Sequence, residues 1–332
     1  MNSYCKRKVP GVGTKSPLFY SLFLPLISML TLLLIVVMVS GSARAAEKAS
    51  DEMTRELASP ITASQPEKEL SAEEVARELA NPNNSLASLT FKNQYRWYEG
   101  NLPNADNQDN YTLLFQPVFP FTMSETASGG KANLFVRPAF PIMFDQPVFD
   151  ADKSDFRGVT AFGDIGFDIG YGVTEKNGLI WAFGMVGTLP TATDSDVAGK
   201  QWRLGPEALI AKFEKWGVYG IFPSHQWDVS GWGDTGYFSN TQVQLFLKFL
   251  PGGGWAVGST PIMNYDWKSH DWTIPLQLVA GKTVKFGNMP VKLELELNYY
   301  VEQPDAFGPE WMISLNITPV VPNIIDRWIK GL

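Results

Sequence analysis

VKLELELNYYVE, residues Val291 to Glu302, alternates without a break. Val291, Leu293, Leu295, Leu297, Tyr299 and Val301 share one parity; Lys292, Glu294, Glu296, Asn298, Tyr300 and Glu302 share the other. Successive side chains of an extended chain point to opposite faces, so a period of two over this length reads as a β-strand. The two faces are unlike, but the stretch alone does not say which of them meets water. In a soluble sandwich the leucines would enter a core and the glutamates would face solvent. In a membrane barrel the leucines would face lipid and the glutamates would line a lumen.

The same split recurs upstream. In GDIGFDIGY, Ile165, Phe167, Ile169 and Tyr171 oppose Asp164, Gly166, Asp168 and Gly170. In TQVQLFLKF, Val243, Leu245, Leu247 and Phe249 oppose Gln242, Gln244, Phe246 and Lys248. Twelve strand candidates follow: 88–98, 109–122, 132–144, 159–173, 178–190, 202–213, 215–229, 239–250, 254–266, 271–283, 289–302 and 310–320. Pro117, Pro120, Pro138 and Pro141 cannot donate to a ladder, so bulges or breaks are expected in strands two and three.

The connections alternate. Gly100–Gln108, Asp145–Arg157, Thr191–Lys200 and Ser230–Gly236 are long and polar, whereas Glu175–Asn177, Glu214–Lys215 and Pro251–Gly253 are short. Thr122–Lys131 is a longer turn on the short side. Long loops at one end and tight turns at the other mark an outer-membrane barrel, and an even strand count returns both termini to the periplasm.

The ends agree with export. Lys6, Arg7, Lys8 and Lys15 precede an apolar run from Leu18 to Val39, and Ala43-Arg44-Ala45 is a small-x-small cleavage pattern. Residues 1–45 therefore read as a signal peptide cleaved after Ala45, with an uncleaved inner-membrane anchor as the alternative. Residues 46–86 form a leader without Phe, Trp or Tyr, expected in the periplasm. Ser71-Ala72-Glu73-Glu74 fits a capping box and Asn81-Pro82 a helix stop. This short helix is either a partly ordered leader element or a plug in a barrel mouth. Residues 87–320 are then the barrel and 321–332 a C-terminal periplasmic tail.

Composition narrows the partners. Without Lys6, Arg7, Lys8, Lys15 and Arg44, 22 basic residues face 34 acidic ones, a net charge of −12. This argues against nucleic acid, which rewards clustered Lys and Arg. The expected partners are outer-membrane lipid, small solutes and the barrel-assembly machinery; the residues fix no oligomeric state. Trp97, Trp181, Trp216, Trp255, Trp272 and Trp311 all fall near strand ends, where two interfacial girdles would lie.

The fold expectation is an all-β, transmembrane, up-and-down antiparallel β-barrel of about twelve strands with a short helical N-terminal leader. Parity then nominates lumen residues. On the N-terminal half they are Lys92, Arg96, Arg137, Asp164, Asp168 and Glu207; on the C-terminal half, Lys248, Asp266, Lys292, Glu294 and Glu296. Such charges either line a path for solutes or pair across the lumen and stabilise a closed barrel. On this reading Leu295→Lys is costly and Glu294→Gln mild.

Catalytic chemistry is thin. Cys5, the sole cysteine, precedes the apolar run, and only His225 and His270 occur, so no metal or cofactor site is expected. Ser224 and His225 are strand neighbours and point to opposite faces. Ser269, His270 and Asp271 share a loop, a weak signal for lipid hydrolysis. Pro251-Gly252-Gly253-Gly254 is a turn without a phosphate-loop ending. The expectation is not an enzyme but a channel or transporter for small solutes. A closed structural barrel whose loops or leader bind a partner is the alternative, with an outer-membrane lipid hydrolase behind it.

NPNNSLASL (81–89), FQPVFPF (115–121), FGDIGFD (162–168), GTLPTATD (187–194), RLGPEALI (203–210), NYDWKSHDWTIPLQL (264–278) and NYYVEQPDAFGPEW (298–311) follow one another along the chain. In these segments the chain resembles a family of bacterial outer-membrane barrels labelled as transporters of meta-pathway phenol degradation, some carrying the misnomer neuromedin U. The resemblance implies a β-barrel passing small, hydrophobic or aromatic compounds. It carries no functional residue across. The end VPNIIDRWIKGL departs from barrel chains that finish on an aromatic.

Overall fold

The computed structural model describes residues 70–231, 236–323 and 325–326. The expected signal segment, the leader as far as residue 69 and the last residues of the tail lie outside them. Fourteen strand segments form one sheet: β1 (Ser88–Glu99), β2 (Asp109–Thr122), β3 (Lys131–Asp150), β4 (Asp155–Phe162), β5 (Ile165–Thr174), β6 (Leu179–Leu189) and β7 (Gln201–Phe213), then β8 (Gly217–Gly231), β9 (Ser239–Gly252), β10 (Trp255–Ser259), β11 (Ile262–Asp266), β12 (Asp271–Phe286), β13 (Met289–Glu302) and β14 (Gly308–Pro319). Consecutive strands pair antiparallel, and β14 pairs back onto β1, with Phe91 opposite Ile317 and Trp97 opposite Trp311. β4 and β5 lie end to end along β3 and make one stave. β10 and β11 do the same along β9 and β12, parted near Pro261, which has no N–H to give. The result is a closed barrel of twelve staves, with no sheet edge left open.

The opening stretch is β13, and its solvent is now assigned. Leu295 is 53% exposed on the outer surface, while Glu294 is 7% exposed within the barrel. Leu293, Leu297, Tyr299 and Val301 are exposed likewise, as are Leu245, Leu247 and Phe249 on β9. Rings gather at both ends of this apolar surface. At the loop end Tyr95 and Trp97, and Tyr299 and Trp311, have centroids 4.7 Å apart. At the turn end Trp216 packs on Phe249 at 5.1 Å and Trp181 on Phe183 at 5.6 Å. Amphipathic rings in two belts about an apolar band fit a lipid interface on each side.

The prolines act as foreseen, by a break and not a bulge. β2 and β3 pair from Tyr111–Phe115 and again from Phe119–Thr122 in unchanged register, with the rungs around Pro117 and Pro138 unmade. One connection differs from expectation. Asp145–Arg157 is not a loop: β3 runs on to Asp150 past Asp145, which takes a positive φ of 54°, and turns directly into β4. Phe149 and Phe156 pack there at 5.1 Å.

Helix α1 (Ala72–Ala80) forms where the capping box stands. The Ser71 hydroxyl accepts the Glu74 N–H, and the Glu74 carboxylate accepts the Ser71 N–H at 2.8 Å. Val75 and Ala76 are buried. Ser71→Ala removes one half of the box and should cost about 1 kcal/mol of helix stability. Hydrogen exchange at the α1 amides checks this, with faster exchange expected there and none in β1.

Candidate functional site: the barrel lumen

The inward parity does not make a uniform polar tube. At the turn end Phe135, Ile180, Ala182, Leu209, Ala211 and Val218 build an apolar patch, joined by Phe213, Phe222 and Phe246. Ala80, the last residue of α1, packs against it. The helix is pinned by polar contacts to several turns. Arg77 donates to the carbonyls of Glu214 and Lys215 at 2.8 and 2.9 Å and stacks over the Phe213 ring. Glu73 accepts the Gly253 N–H at 3.2 Å. After the helix, Asn81 and Asn83 both donate to Thr174 Oγ1, and Asn133 donates to the Asn83 carbonyl. Gly172 gives Asn83 room: a Cβ there would lie 2.6 Å from Asn83 Oδ1. These contacts hold the helix against the turn end of the barrel.

Above α1 lies a cavity of about 330 Å³, floored by Leu79, Ala80, Asn81, Pro82 and Asn84. Eight of the eleven nominated residues line it: Lys92, Arg137, Asp168, Glu207, Lys248, Lys292, Glu294 and Glu296. They form two groups. On one wall Arg137 on β3 donates to Asp168 on β5 at 2.7 Å, flanked by the Phe135 and Phe222 rings, with Glu207 on β7 beside them. No hydrogen bond reaches Glu207 Oε1 among the described residues. On the other wall Glu294 holds Lys248 at 3.1 Å and Lys292 at 2.5 Å, and Glu296 accepts from Asn316 at 2.6 Å. Lys248 on β9 reaches Glu294 on β13 across β10 and β12, and Gly281 of β12 leaves room for the Glu294 stem.

Three nominated residues sit elsewhere. Asp164 accepts the N–H groups of Thr191, Ala192 and Gly199 at 2.7 to 3.0 Å and clamps the loop between β6 and β7. It stands at the break between β4 and β5, where strand parity no longer fixes its direction. Asp266 accepts the Lys268 N–H at 2.7 Å and shapes the turn into β12. Arg96 points inward but outside the cavity, bonded to Gln94 at 2.6 Å.

The histidines are ordered differently from their neighbours in sequence. Ser224 lines the cavity. His225 faces outward, with Nδ1 at 2.7 Å from Thr241 Oγ1 and Nε2 at 3.2 Å from Ser239 Oγ, its ring 4.2 Å from that of Trp227. Pairing of β8 with β9 makes these contacts, which no spacing along one strand displays. Ser239 is 3% exposed. His270 takes a positive φ of 65° in a tight turn and meets Tyr265 Oη at 3.2 Å.

With this geometry in view, the comparisons are informative. A solved outer membrane channel from Pseudomonas putida F1 superposes with a TM-score of 0.53 at 12% identity, over 71% of this chain and 96% of that one. The fold is that of an outer-membrane barrel. Weaker overlaps occur with the β domain of the Bordetella autotransporter BrkA (TM-score 0.40, 10% identity, 71% of this chain and 98% of that) and with outer membrane phospholipase A from Escherichia coli (TM-score 0.35, 11% identity, 70% and 96%). No protein-family model matches the chain, and no curated protein does.

Sequence reasoning counted charges and passed over the neutral lining. Thr90, Gln116, Gln242, Gln244 and Thr318 also face the cavity, as do Phe222 and Phe246. Parity was the available signal for each.

Proposed function

We propose that the chain forms a passage for small solutes across the outer membrane, closed at its periplasmic end by α1. One observation carries this reading: the cavity floor is a separate helix held by hydrogen bonds to turns, not strand side chains packed to fill the lumen. A barrel kept only for structure gains nothing from a polar cavity with a removable floor. The helix is held by a handful of bonds, each worth about 1 kcal/mol net, and by the burial of Val75 and Ala76, so it leaves the mouth at less cost than unfolding a strand. The inward charges set which solutes pass, and the chain acts as a conduit, not a catalyst. The apolar patch around Phe135, Phe222 and Phe246 would tolerate an apolar part of a solute, in line with the resemblance to barrels labelled for aromatic compounds. The test is conductance of the purified full chain in planar bilayers. Discrete channel events are expected; their absence, for the full chain and for a chain lacking α1, would remove the transport reading.

A further inference from the structure

The charges of the cavity are not balanced wall by wall. Around β3, β5 and β7, Arg137 is paired with Asp168 and faces a second carboxyl group, Glu207, whose ionisation would leave one negative charge. Around β1, β9 and β13, three lysines, Lys92, Lys248 and Lys292, face Glu294 and Glu296, which leaves one positive charge. β7 and β1 stand about half-way round the barrel from each other, so the two excesses lie on opposite walls of a single cavity. Each excess coincides with a side chain the internal pairs do not use. Glu207 is 5% exposed and its Oε1 has no hydrogen-bond partner. Lys92 lines the cavity, and no hydrogen bond or ion pair holds its ammonium among the described residues.

A buried carboxyl group without a partner is costly to ionise, and a cationic group entering the cavity removes that cost. An anionic group on the same molecule would meet Lys92 across the lumen. We propose that the cavity is a binding site for a small zwitterion, its ammonium against Glu207 and Asp168 and its anionic end against Lys92. At about 330 Å³ the cavity suits a compact molecule, near the lower end for ligand sites. Thr90, Gln116 and Gln244 supply neutral hydrogen-bonding groups between the two poles. Opposed charges of this kind reject a singly charged or neutral analogue, because one pole is then left unmet. This site deepens the passage reading and rests on it for its biological meaning, though binding itself does not require transport.

The experiment compares four probes of similar size on the full chain in detergent: 4-aminobutanoate, butanoate, butylammonium and butanamide. Calorimetric titration should show 4-aminobutanoate binding at least tenfold tighter than the other three. Glu207→Gln should abolish its advantage over butanoate, and Lys92→Gln its advantage over butylammonium; heat-modifiable gel migration confirms that each variant is folded. Should one variant fail to fold, the other and the four-probe ranking on the wild type still decide. Equal binding of all four probes, or a ranking unmoved by both substitutions, would overturn the site. Flux of the same probes into proteoliposomes separates the two proposals. Flux of the probes without selective binding leaves the passage and removes the site; selective binding without flux leaves the site and removes the passage.

Discussion

Deleting residues 70–84 should convert brief or small conductance steps into sustained, larger ones. The deletion removes α1 and the asparagine segment that floor the cavity. It takes no rung from the barrel, because every strand from β1 onward keeps its neighbours. What remains at the turn end are Asn133, Thr174 and the carbonyls of Glu214 and Lys215, all groups that water will satisfy. Phe135, Ile180 and Val218 become wetted, which makes the deleted protein less stable without opening the ladder. A finer version replaces both pins: Arg77→Ala with Glu73→Ala cuts the contacts to the turns at 214–215 and 253 while keeping the chain length. Single-channel recording at matched protein density gives the readout. Unchanged conductance in both proteins would mean that α1 does not close the path.

The second large effect concerns the two faces of β13. Leu295 lies in the middle of the strand and is exposed on the outer surface, so Leu295→Lys should cost about 2–4 kcal/mol in a refolding titration into lipid. Glu294→Gln is a different matter from what parity alone suggests. A lumen glutamate with water around it would tolerate the change, which is why the sequence points to a mild effect. In the structure Glu294 is shared by Lys248 and Lys292, with all three side chains largely buried. Removing its charge leaves two ammonium groups facing each other, and breaking such a buried pair costs about 3 kcal/mol. Lys292→Met with Glu294→Gln should recover most of that loss, since fewer charges are then stranded. Both single substitutions are thus expected to destabilise, for opposite reasons: one places a charge in lipid, the other orphans charges inside.

Much of the fold was legible because a barrel is a periodic object. The runs from Ser88 to Pro319 keep a period of two, and the tight turns at Glu175–Asn177 and Glu214–Lys215 stand where composition put them. The misreading of Asp145–Arg157 has a plain cause. Asp, Gln, Pro and Lys dominate there and resemble loop composition, yet beyond the lipid band a hairpin needs no apolar outer face. The candidate site was legible only in part. Parity found Arg137, Asp168, Glu207 and the β13 charges, because uninterrupted strands carry them. It failed at Asp164 and Asp266, which stand at a strand break and at a turn and serve backbone N–H groups instead. The pairing of Lys248 with Glu294 depends on which staves curve toward each other, and that of His225 with Ser239 on the register of β8 against β9, and no single strand records either.

The central claim is that the leucine face of β13 meets lipid and the glutamate face meets the lumen. Cys5 is the sole cysteine, so with Cys5→Ser in place single introduced cysteines supply clean labelling sites. Cysteines at Leu293, Leu295, Leu297, Glu296 and Asn298 would each carry an environment-sensitive fluorophore in reconstituted protein. Spin-labelled lipid should quench the probes at 293, 295 and 297 and leave those at 296 and 298 unaffected. Quenching at 296 and 298 instead, or no alternation along the strand, would contradict the account.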